Sequence, residues 1–274
     1  MTSFAQRFVK ALDEKKSYLC VGLDPAVAGQ REHDVIPTEH PPDQDARRIR
    51  LEFCLDMLEK TGDVAIAAKP NEQYVFGFTL EDHQTLTKVA HSKGLVCILD
   101  CKLGDIGDTA QSKLYWVHRA GYDAITVHTQ QGNLRHMVSD AHGKHPQLGI
   151  FALVLMSNPE AVRYFKRAIH DGEPLYLSIA RDVRECSADG CVVGATGHVT
   201  EQEIAVIANI VGQETVFLVP GLGAQKGEPN KVFRAGITKV LFNVGRDIMY
   251  SPDPQRKARD YAELLNNLAK KYRR

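Results

Sequence analysis

Residues 95–109 read LVCILDCKLGDIGDT, an apolar run that ends in charged residues and glycines. The run over 95–101 is apolar on both faces, as in parallel strands that are covered by helices on one side and by core layers on the other. In a strand, Asp100 and Lys102 point to the same face. A buried strand that ends in a carboxylate and an ammonium group is typical of α/β barrel enzymes, which place their chemistry at the carboxyl ends of the strands.

Apolar, strand-like runs of this kind recur along the whole chain. Together with the first they number eight, at 18–23, 64–68, 95–101, 124–128, 149–155, 191–194, 216–219 and 239–243. Segments with helical periodicity lie between or after them, at 46–61, 80–93, 109–120, 200–211 and 254–272. This alternation of strand and helix predicts an α/β fold, a (β/α)8 TIM barrel.

The length of 274 residues is common for a barrel of this type, and we interpret 1–274 as one domain. An amphipathic helix over 2–16 precedes the first strand, and Ser3 with Gln6 resembles a capping box. Two stretches interrupt the rhythm and are interpreted as insertions, the Pro- and charge-rich residues 31–45 and residues 170–190. The second is predicted to contain an extra helix over 175–185.

Charge and composition narrow the function classes. Lys plus Arg equal Asp plus Glu at 34 each, so no global field attracts nucleic acid or an anionic membrane surface. No apolar run approaches the ~20 residues of a membrane span, and the apolar region of a secretory signal is missing, which predicts a cytoplasmic protein. The six cysteines form no Cys-x-x-Cys pair and are interpreted as reduced core thiols. His136, His142 and His145 are interpreted as surface residues of a loop-like stretch.

Charged side chains gather at the ends of the second and third strands. The second strand ends in Lys69-Pro70-Asn71, so Lys69 joins Asp100 and Lys102 at the same rim, and Asp105 follows in a glycine-flanked loop. Alternating charges at one rim must neutralise one another to be desolvated. A structural ion-pair network is the better interpretation for any one of these residues alone. For the set, the placement at strand ends favours a catalytic site.

The pattern Asp-x-Lys-x-x-Asp-Ile-x-x-Thr at 100–109, preceded by Lys-Pro-Asn, resembles orotidine 5'-monophosphate decarboxylases. Lys-Pro-Asn and the Val-Val-Gly-Ala-Thr element at 192–196 resemble the bacterial type 2 subgroup. Further similar elements cover nearly the whole chain in order, Gly-Leu-Asp-Pro at 22–25, Ser-Asn-Pro at 157–159, Val-Pro-Gly-Leu-Gly-Ala-Gln at 219–225 and Asn-Val-Gly-Arg at 243–246.

The resemblance implies decarboxylation of orotidine 5'-monophosphate (OMP) to uridine 5'-monophosphate (UMP) in de novo pyrimidine biosynthesis, with no metal and no organic cofactor. Lys102 is then the proton donor to C6 of the pyrimidine, and Asp100 lies beside the departing carboxylate. Lys69 holds the aspartates in place. The minimal unit implied is a homodimer, in which Asp105 reaches the active site of the neighbouring subunit.

Substrate-binding residues follow partly from chemistry and partly from the resemblance. Phosphate recognition is expected at the ends of strands seven and eight, as in many barrels. There Gly223, Gln225, Gly245 and Arg246 offer backbone N–H groups, an amide and a planar guanidinium. The resemblance assigns Ser157 to the pyrimidine amide edge, Asp24 and the partner subunit's Thr109 to the ribose hydroxyls, and Asn71 to the substrate more weakly. Residues 226–230 are the predicted lid.

Two stretches depart from the family pattern. Residues 72–78 read EQYVFGF, where many members of the subgroup carry a short Ala-Phe-Phe run. Val244 and Gly245 stand where small polar residues are commoner before the arginine. Both departures concern loop geometry and leave the charged residues unchanged.

Two other functions are compatible with a barrel of this kind. The first is a Mg²⁺-dependent sugar-phosphate aldolase or decarboxylase of the same superfamily, such as a hexulose-6-phosphate synthase. Those enzymes resemble the Asp-x-Lys-x-x-Asp pattern but tend to carry an acidic residue in place of Thr109, and they lack the Gly-Ala-Gln and Asn-x-x-Arg elements. The second is a non-catalytic sensor of phosphate ligands, since fold does not dictate function.

Overall fold

Eight parallel strands close into a barrel in the computed structural model of the chain, which describes residues 3–37, 46–223 and 226–272. The strands follow chain order around the barrel, and the eighth pairs with the first. They are β1 (Leu19–Leu23), β2 (Ala67–Pro70), β3 (Val96–Leu103), β4 (Ala124–Val127), β5 (Gly149–Leu155), β6 (Gly190–Val193), β7 (Val216–Val219) and β8 (Val240–Val244). The predicted (β/α)8 TIM barrel is confirmed.

Helices alternate with these strands over the described residues. They are α1 (Phe4–Lys15), α2 (Ala46–Thr61), α3 (Leu80–Ser92), α4 (Gly107–Arg119), α5 (Leu134–Lys144), α6 (Leu175–Cys186), α7 (Glu201–Val211), α8 (Pro229–Arg234), α9 (Arg246–Met249) and α10 (Pro254–Tyr272). None of them is both long and apolar enough to cross a bilayer. The capping box predicted for α1 is present, with both bonds between Ser3 and Gln6.

Three of the described helices were not predicted from the sequence, α5 and the short α8 and α9. The stretch interpreted as a loop around His136 and His142 forms α5, whose buried side chains Leu134, Met137, Val138 and Ala141 repeat at helical spacing. Histidines and other polar residues on the outer face of α5 make the segment polar overall, so this apolar repeat is not evident from its composition. The surface position predicted for His136 and His142 is confirmed, whereas His145 is half-buried.

The segment interpreted as an insertion at 170–190 holds the helix that was predicted there, but this helix is not an extra one. It is α6, the helix that connects β5 to β6 in the regular order of the barrel. The irregular part lies earlier, where a π-helical turn at Val162–Lys166 is followed by a hairpin of Ile169–His170 and Glu173–Pro174. Within the other predicted insertion, residues 38–45 lie outside the described part of the chain.

The amino end of the barrel is closed by α1. Its Phe4 and Phe8 are almost fully buried, and the Phe4 ring meets Phe151 of β5 edge to face with 5.2 Å between the ring centroids. Edge-to-face aromatic contacts in a buried core add to the stabilisation from buried area. Because this end is filled with apolar side chains, the polar groups of the strands lie at the opposite, carboxyl end.

Candidate active site

Three of the predicted catalytic residues meet at the carboxyl ends of β2 and β3. The Lys69 Nζ lies 2.6 Å from Asp100 Oδ2, and the Lys102 Nζ lies 2.7 Å from Asp100 Oδ1. Lys69 is buried, with 4% of its surface exposed, whereas the Lys102 side chain is 37% exposed. One carboxylate thus bridges a buried ammonium group and an ammonium group that faces the mouth of the barrel.

The electrostatics of this cluster keep Asp100 and Lys69 charged. Burial alone raises the pKa of the Asp100 carboxyl, but Lys69 and Lys102 outweigh it and hold that pKa below its ordinary value. Burial alone lowers the pKa of Lys69, but Asp100 and then Asp24 outweigh it and raise that pKa above its ordinary value. The site therefore carries fixed charges near neutral pH, which is what electrostatic preorganisation requires.

The backbone at the end of β3 departs from regular strand geometry. Lys102 has a φ of +52°, and the pairing of β3 with β4 shifts register between Leu99 and Leu103. A left-handed conformation costs a non-glycine residue about 1–3 kcal/mol and persists only where surrounding contacts hold it. The prediction that Asp100 and Lys102 share a face is confirmed by their ion pair, although a bulge rather than simple alternation places Lys102.

Thr126 of β4 supplies the contact that holds this bulge. Its Oγ1 accepts a hydrogen bond from the Lys102 backbone N–H at 3.0 Å and donates one to Asp100 Oδ1 at 3.0 Å. The side chain is buried. Thr126 was not among the predicted site residues, although the available signal was that it is the one polar side chain in the Ala-Ile-Thr-Val run of β4.

We expect Thr126→Val to lower turnover by about tenfold to a hundredfold, because the isosteric change removes both bonds and frees the strained Lys102 backbone. A positioning role predicts that kcat falls while product affinity is retained, and both can be measured on the same preparation. Thr126→Ser, which keeps the hydroxyl, is the matched control and should restore most of the rate. A valine variant with wild-type kcat would contradict the assignment.

Asp105 and Thr109 lie apart from the charged cluster. Both are exposed, and the Asp105 carboxylate accepts a hydrogen bond from the Ile106 backbone N–H at 2.9 Å. The Asn133 side chain fixes the loop by donating to the Asp105 carbonyl at 2.8 Å. Four charged side chains were expected to converge on one rim. Within a single chain, three of them do so and Asp105 does not.

Asp24 and Asn71 follow β1 and β2 at the same rim. The Asp24 side chain is 23% exposed, and its charge contributes to the raised pKa of Lys69. The Asn71 backbone N–H donates to the Leu23 carbonyl at 3.1 Å, and its side-chain oxygen accepts from the Gln73 N–H at 3.1 Å. The Asn71 oxygen is thus engaged in its own turn, which leaves the amide nitrogen as its candidate substrate contact.

Ser157 follows β5 and is held by the end of β6. The Thr196 hydroxyl donates to the Ser157 carbonyl at 2.8 Å, and the His198 ring contacts the Met156 carbonyl at 3.2 Å. Gly194 allows this close packing, because a Cβ there would lie 2.6 Å from the Ser157 Cα. These contacts fix the backbone of Ser157 and leave its hydroxyl without a hydrogen bond to the described residues.

The predicted phosphate site lies at the ends of β7 and β8. Gly223 has a φ of +90° and packs against Asp247, and a Cβ there would lie 3.1 Å from the Asp247 Cβ. Gly245 precedes α9, which Arg246 begins. Arg246 is exposed, forms no ion pair with the described residues, and lines a cleft of about 280 Å³. Gln225 lies outside the part of the chain that the structure describes.

The predicted lid is only partly a loop. The Lys226 N–H donates to the Gly223 carbonyl and the Gly227 N–H to the Gly221 carbonyl, at 2.8 and 3.0 Å. Helix α8 then begins at Pro229, so the last two residues of the predicted segment 226–230 are helical. Movement of this segment remains a prediction.

The donors at the site do not resemble those of a divalent-cation site. Both oxygens of Asp100 are engaged by ammonium groups, and Mg²⁺ prefers carboxylates that can turn towards it. Within residues 3–37, 46–223 and 226–272, no three His, Cys, Asp or Glu side chains stand close enough together to hold a metal ion.

Comparison with known proteins places this geometry in a family. Residues 17–261 match the model described as "Orotidine 5'-phosphate decarboxylase / HUMPS family". An orotidine 5'-phosphate decarboxylase of Cupriavidus taiwanensis is 31% identical, with 97% of this chain and 95% of that protein covered. One of Dechloromonas aromatica is 32% identical, with 93% of both covered. The solved structure of Leishmania donovani OMP decarboxylase is similar in fold, with a TM-score of 0.78 at 24% identity, covering 98% of this chain and 99% of that one.

Proposed function

The chain belongs to the orotidine 5'-phosphate decarboxylase / HUMPS family, and we propose that it decarboxylates OMP to UMP in pyrimidine biosynthesis, with Lys102 as the proton donor to C6. The relatives at 31% and 32% identity that carry the decarboxylase name favour this reaction over the Mg²⁺-dependent alternative. The observation that supports the residue roles is the Lys69–Asp100–Lys102 cluster.

The chemical problem is a negative charge that develops at C6 of the pyrimidine, where the ring π system cannot delocalise it. The Lys102 ammonium group is the more exposed member of the cluster and can stand against this carbon. It stabilises the developing charge and then supplies the proton, so that the C6–CO₂ bond breaks and a C6–H bond forms. Each ~1.36 kcal/mol of extra transition-state stabilisation is worth tenfold in rate.

In the proposal, Asp100 and Lys69 support the Lys102 ammonium group. Asp100 keeps the Lys102 ammonium group in place through a 2.7 Å contact, and the buried Lys69 keeps Asp100 ionised. In the proposal the carboxylate of the substrate fits beside the Asp100 carboxylate, and repulsion between the two favours departure of CO₂. That second contribution is ground-state destabilisation and acts in addition to electrostatic stabilisation.

Ultraviolet absorbance tests the reaction directly, because loss of the carboxylate changes the spectrum of the pyrimidine. We expect turnover of OMP that is unaffected by EDTA. Loss of activity on chelation would instead favour the Mg²⁺-dependent sugar-phosphate enzyme. Tight UMP binding with no turnover of OMP would favour the sensor.

The exposed guanidinium of Arg246 is the proposed phosphate contact. We expect Arg246→Ala to lower kcat/KM for OMP by about a hundredfold, because a charge-assisted bidentate contact is lost. Turnover of orotidine, which has no phosphate, should stay within about twofold of wild type, since the charged cluster is untouched. Equal losses on both substrates would contradict the assignment. Arg256→Ala, in α10, is the control.

A homodimer with shared active sites is the proposed assembly. Asp105 and Thr109 are exposed at the start of α4, and this flank, α4 with its N-cap residue, also exposes Ile106, Tyr115 and Trp116 by 59%, 46% and 53%. Large apolar side chains grouped on a surface mark protein interaction sites. In a symmetric dimer through this flank, Asp105 and Thr109 of each subunit reach the neighbour's active site.

Mixing two inactive variants tests whether the two subunits of the dimer share their active sites. Lys102→Ala and Asp105→Ala subunits should each be nearly inactive alone. Unfolded and refolded together, they should recover about a quarter of wild-type turnover, because half of the random dimers carry one intact site of two. No recovery in a mixture shown to contain heterodimers would contradict site sharing.

The cytoplasm is the proposed compartment. All six cysteines are free thiols, and four of them are buried. Burial raises the pKa of Cys20 to about 12, which keeps that thiol protonated and unreactive. Unpaired core thiols of this kind fit a reducing environment.

A further inference from the structure

Two cavities lie side by side towards the amino end of the barrel, away from the candidate active site. The larger, of about 720 Å³, lies between the end of α8, the turn that follows it and the end of α10. The smaller, of about 650 Å³, lies between the ends of α1 and α10. Tyr18, which precedes β1, and Ala269 of α10 line both cavities. The two therefore form one continuous cleft, which we call the amino-end cleft.

The amino-end cleft is rich in positive charge, although the formal net charge of the whole chain is zero. Its acidic side chains are Asp13 and Glu201. The basic side chains outnumber them and are Lys15, Lys16, Arg234, Lys270 and Lys271. A cleft that is lined mainly by one sign of charge concentrates ligands of the opposite sign. The amino-end cleft therefore favours an anionic ligand.

Three of these cations are not neutralised by the described part of the chain. Lys16, Lys270 and Lys271 are exposed and form no ion pair with the described residues. Eleven other lysines each pair with an Asp or Glu side chain. Lys15 is not available to a ligand, since its Nζ donates to three backbone carbonyls. Like charges gathered without counter-charges repel one another, so an anion bound among the three lysines is favoured.

The larger cavity also offers a surface for a planar ring. The Arg234 guanidinium carbon lies 5.9 Å from the centre of the Tyr272 ring, and the Lys271 Nζ lies 5.3 Å from it. Arg234 Nε donates to Glu201 at 2.7 Å, which leaves its two terminal nitrogens without a partner among the described residues. The buried Phe233 adds apolar wall. Planar rings stack on tyrosine and on guanidinium groups, so this cavity fits an aromatic group whose charges lie towards the lysines.

We propose that the amino-end cleft binds a nucleoside triphosphate. Its base stacks on Tyr272 and Arg234, and its phosphates extend towards the three unpaired lysines, Lys16, Lys270 and Lys271. Each cavity has the volume of an ordinary ligand site, and a triphosphate chain carries more charge than a monophosphate to match the lysines. This site is separate from the one proposed for OMP, because its residues precede the barrel strands or lie at helix ends, whereas the charged cluster follows β2 and β3.

Calorimetry with ATP and UTP in EDTA, on protein saturated with UMP, tests this site. At least one of the two should bind, and tripolyphosphate should bind about tenfold more weakly because it has no base to stack. Lys270→Gln combined with Lys271→Gln should weaken nucleotide binding about tenfold or more. Tyr272→Leu should weaken nucleotide binding about tenfold and leave tripolyphosphate binding unchanged. Lys88→Gln, which removes an exposed lysine of α3, is the matched control and should change neither.

Thermal melts show whether each variant is folded, and the double lysine variant carries the test if Tyr272→Leu is not. A wild-type protein that binds neither nucleotide at millimolar concentration would overturn the site, as would unchanged affinity in the folded double variant. Tripolyphosphate that binds as tightly as the nucleotides would overturn the assignment to a nucleotide. OMP turnover is measured in parallel. Turnover without nucleotide binding overturns the amino-end site alone, whereas absent turnover with binding that depends on the lysines overturns the proposed function alone.

Discussion

Lys102→Ala should reduce turnover of OMP by about 10⁴-fold or more, because in the proposed mechanism one change removes both the cation that faces the reacting carbon and the proton that replaces CO₂. The affinity for UMP should stay within about tenfold of wild type, since the product carries no negative charge at C6 and its proposed phosphate contact is Arg246. Ultraviolet assays give the rate, and calorimetry with UMP gives the affinity.

Two further variants separate the functions combined in this lysine. Lys102→Arg keeps a positive charge, but a guanidinium group does not give up a proton in proteins, so it should remain severely impaired. Lys88→Ala removes an exposed lysine from α3 and should leave the rate unchanged. Substantial activity in the alanine variant would disprove the assignment of Lys102 as the proton donor.

The fold was largely predictable from the sequence because each barrel strand is an apolar run between helical segments. The same criterion failed where polar side chains dilute the pattern. Helix α5 packs only one narrow face against the barrel. The histidines elsewhere on the helix therefore led to its interpretation as a loop. The place of α6 as a regular barrel helix was hidden by the irregular 156–174 segment, which precedes it and is much longer than an ordinary loop between a strand and a helix.

The candidate site was predictable where its residues lie at the ends of strands. Lys69, Asp100 and Lys102 follow from their position after apolar runs, and the structure brings them together. The contacts that hold them could not be derived this way. Thr126 reaches Lys102 from the neighbouring strand, and the bulge at Lys102 breaks the alternation on which sequence reasoning relies. Such contacts depend on pairing between distant segments, which local periodicity does not encode.

Asp100→Asn should lower the free energy of unfolding by about 3–5 kcal/mol at neutral pH, besides abolishing turnover, because it leaves the buried Lys69 ammonium without its closest counter-charge. The matched control is Asp56→Asn in α2. Its ion pair with Lys60 has the same 2.6 Å separation as that of Lys69 and Asp100, but its side chains are 47% and 44% exposed. An exposed pair contributes about 0–1 kcal/mol, so the control should lower the free energy of unfolding far less. Urea denaturation measures both variants.

The pH dependence of this stabilisation follows from the directions of the two pKa shifts. The folded-state pKa of Asp100 lies below its unfolded value, so its stabilisation is present above that unfolded value and is lost as the pH falls through the folded one. The folded-state pKa of Lys69 lies above its unfolded value, so its contribution is complete below that unfolded value and is lost as the pH rises through the folded one. The difference between wild type and Asp100→Asn should therefore shrink as the pH falls below about 4. A difference that grows as the pH falls below 4 would contradict an ionised Asp100, because a protonated carboxyl and an asparagine amide place the same charge beside Lys69.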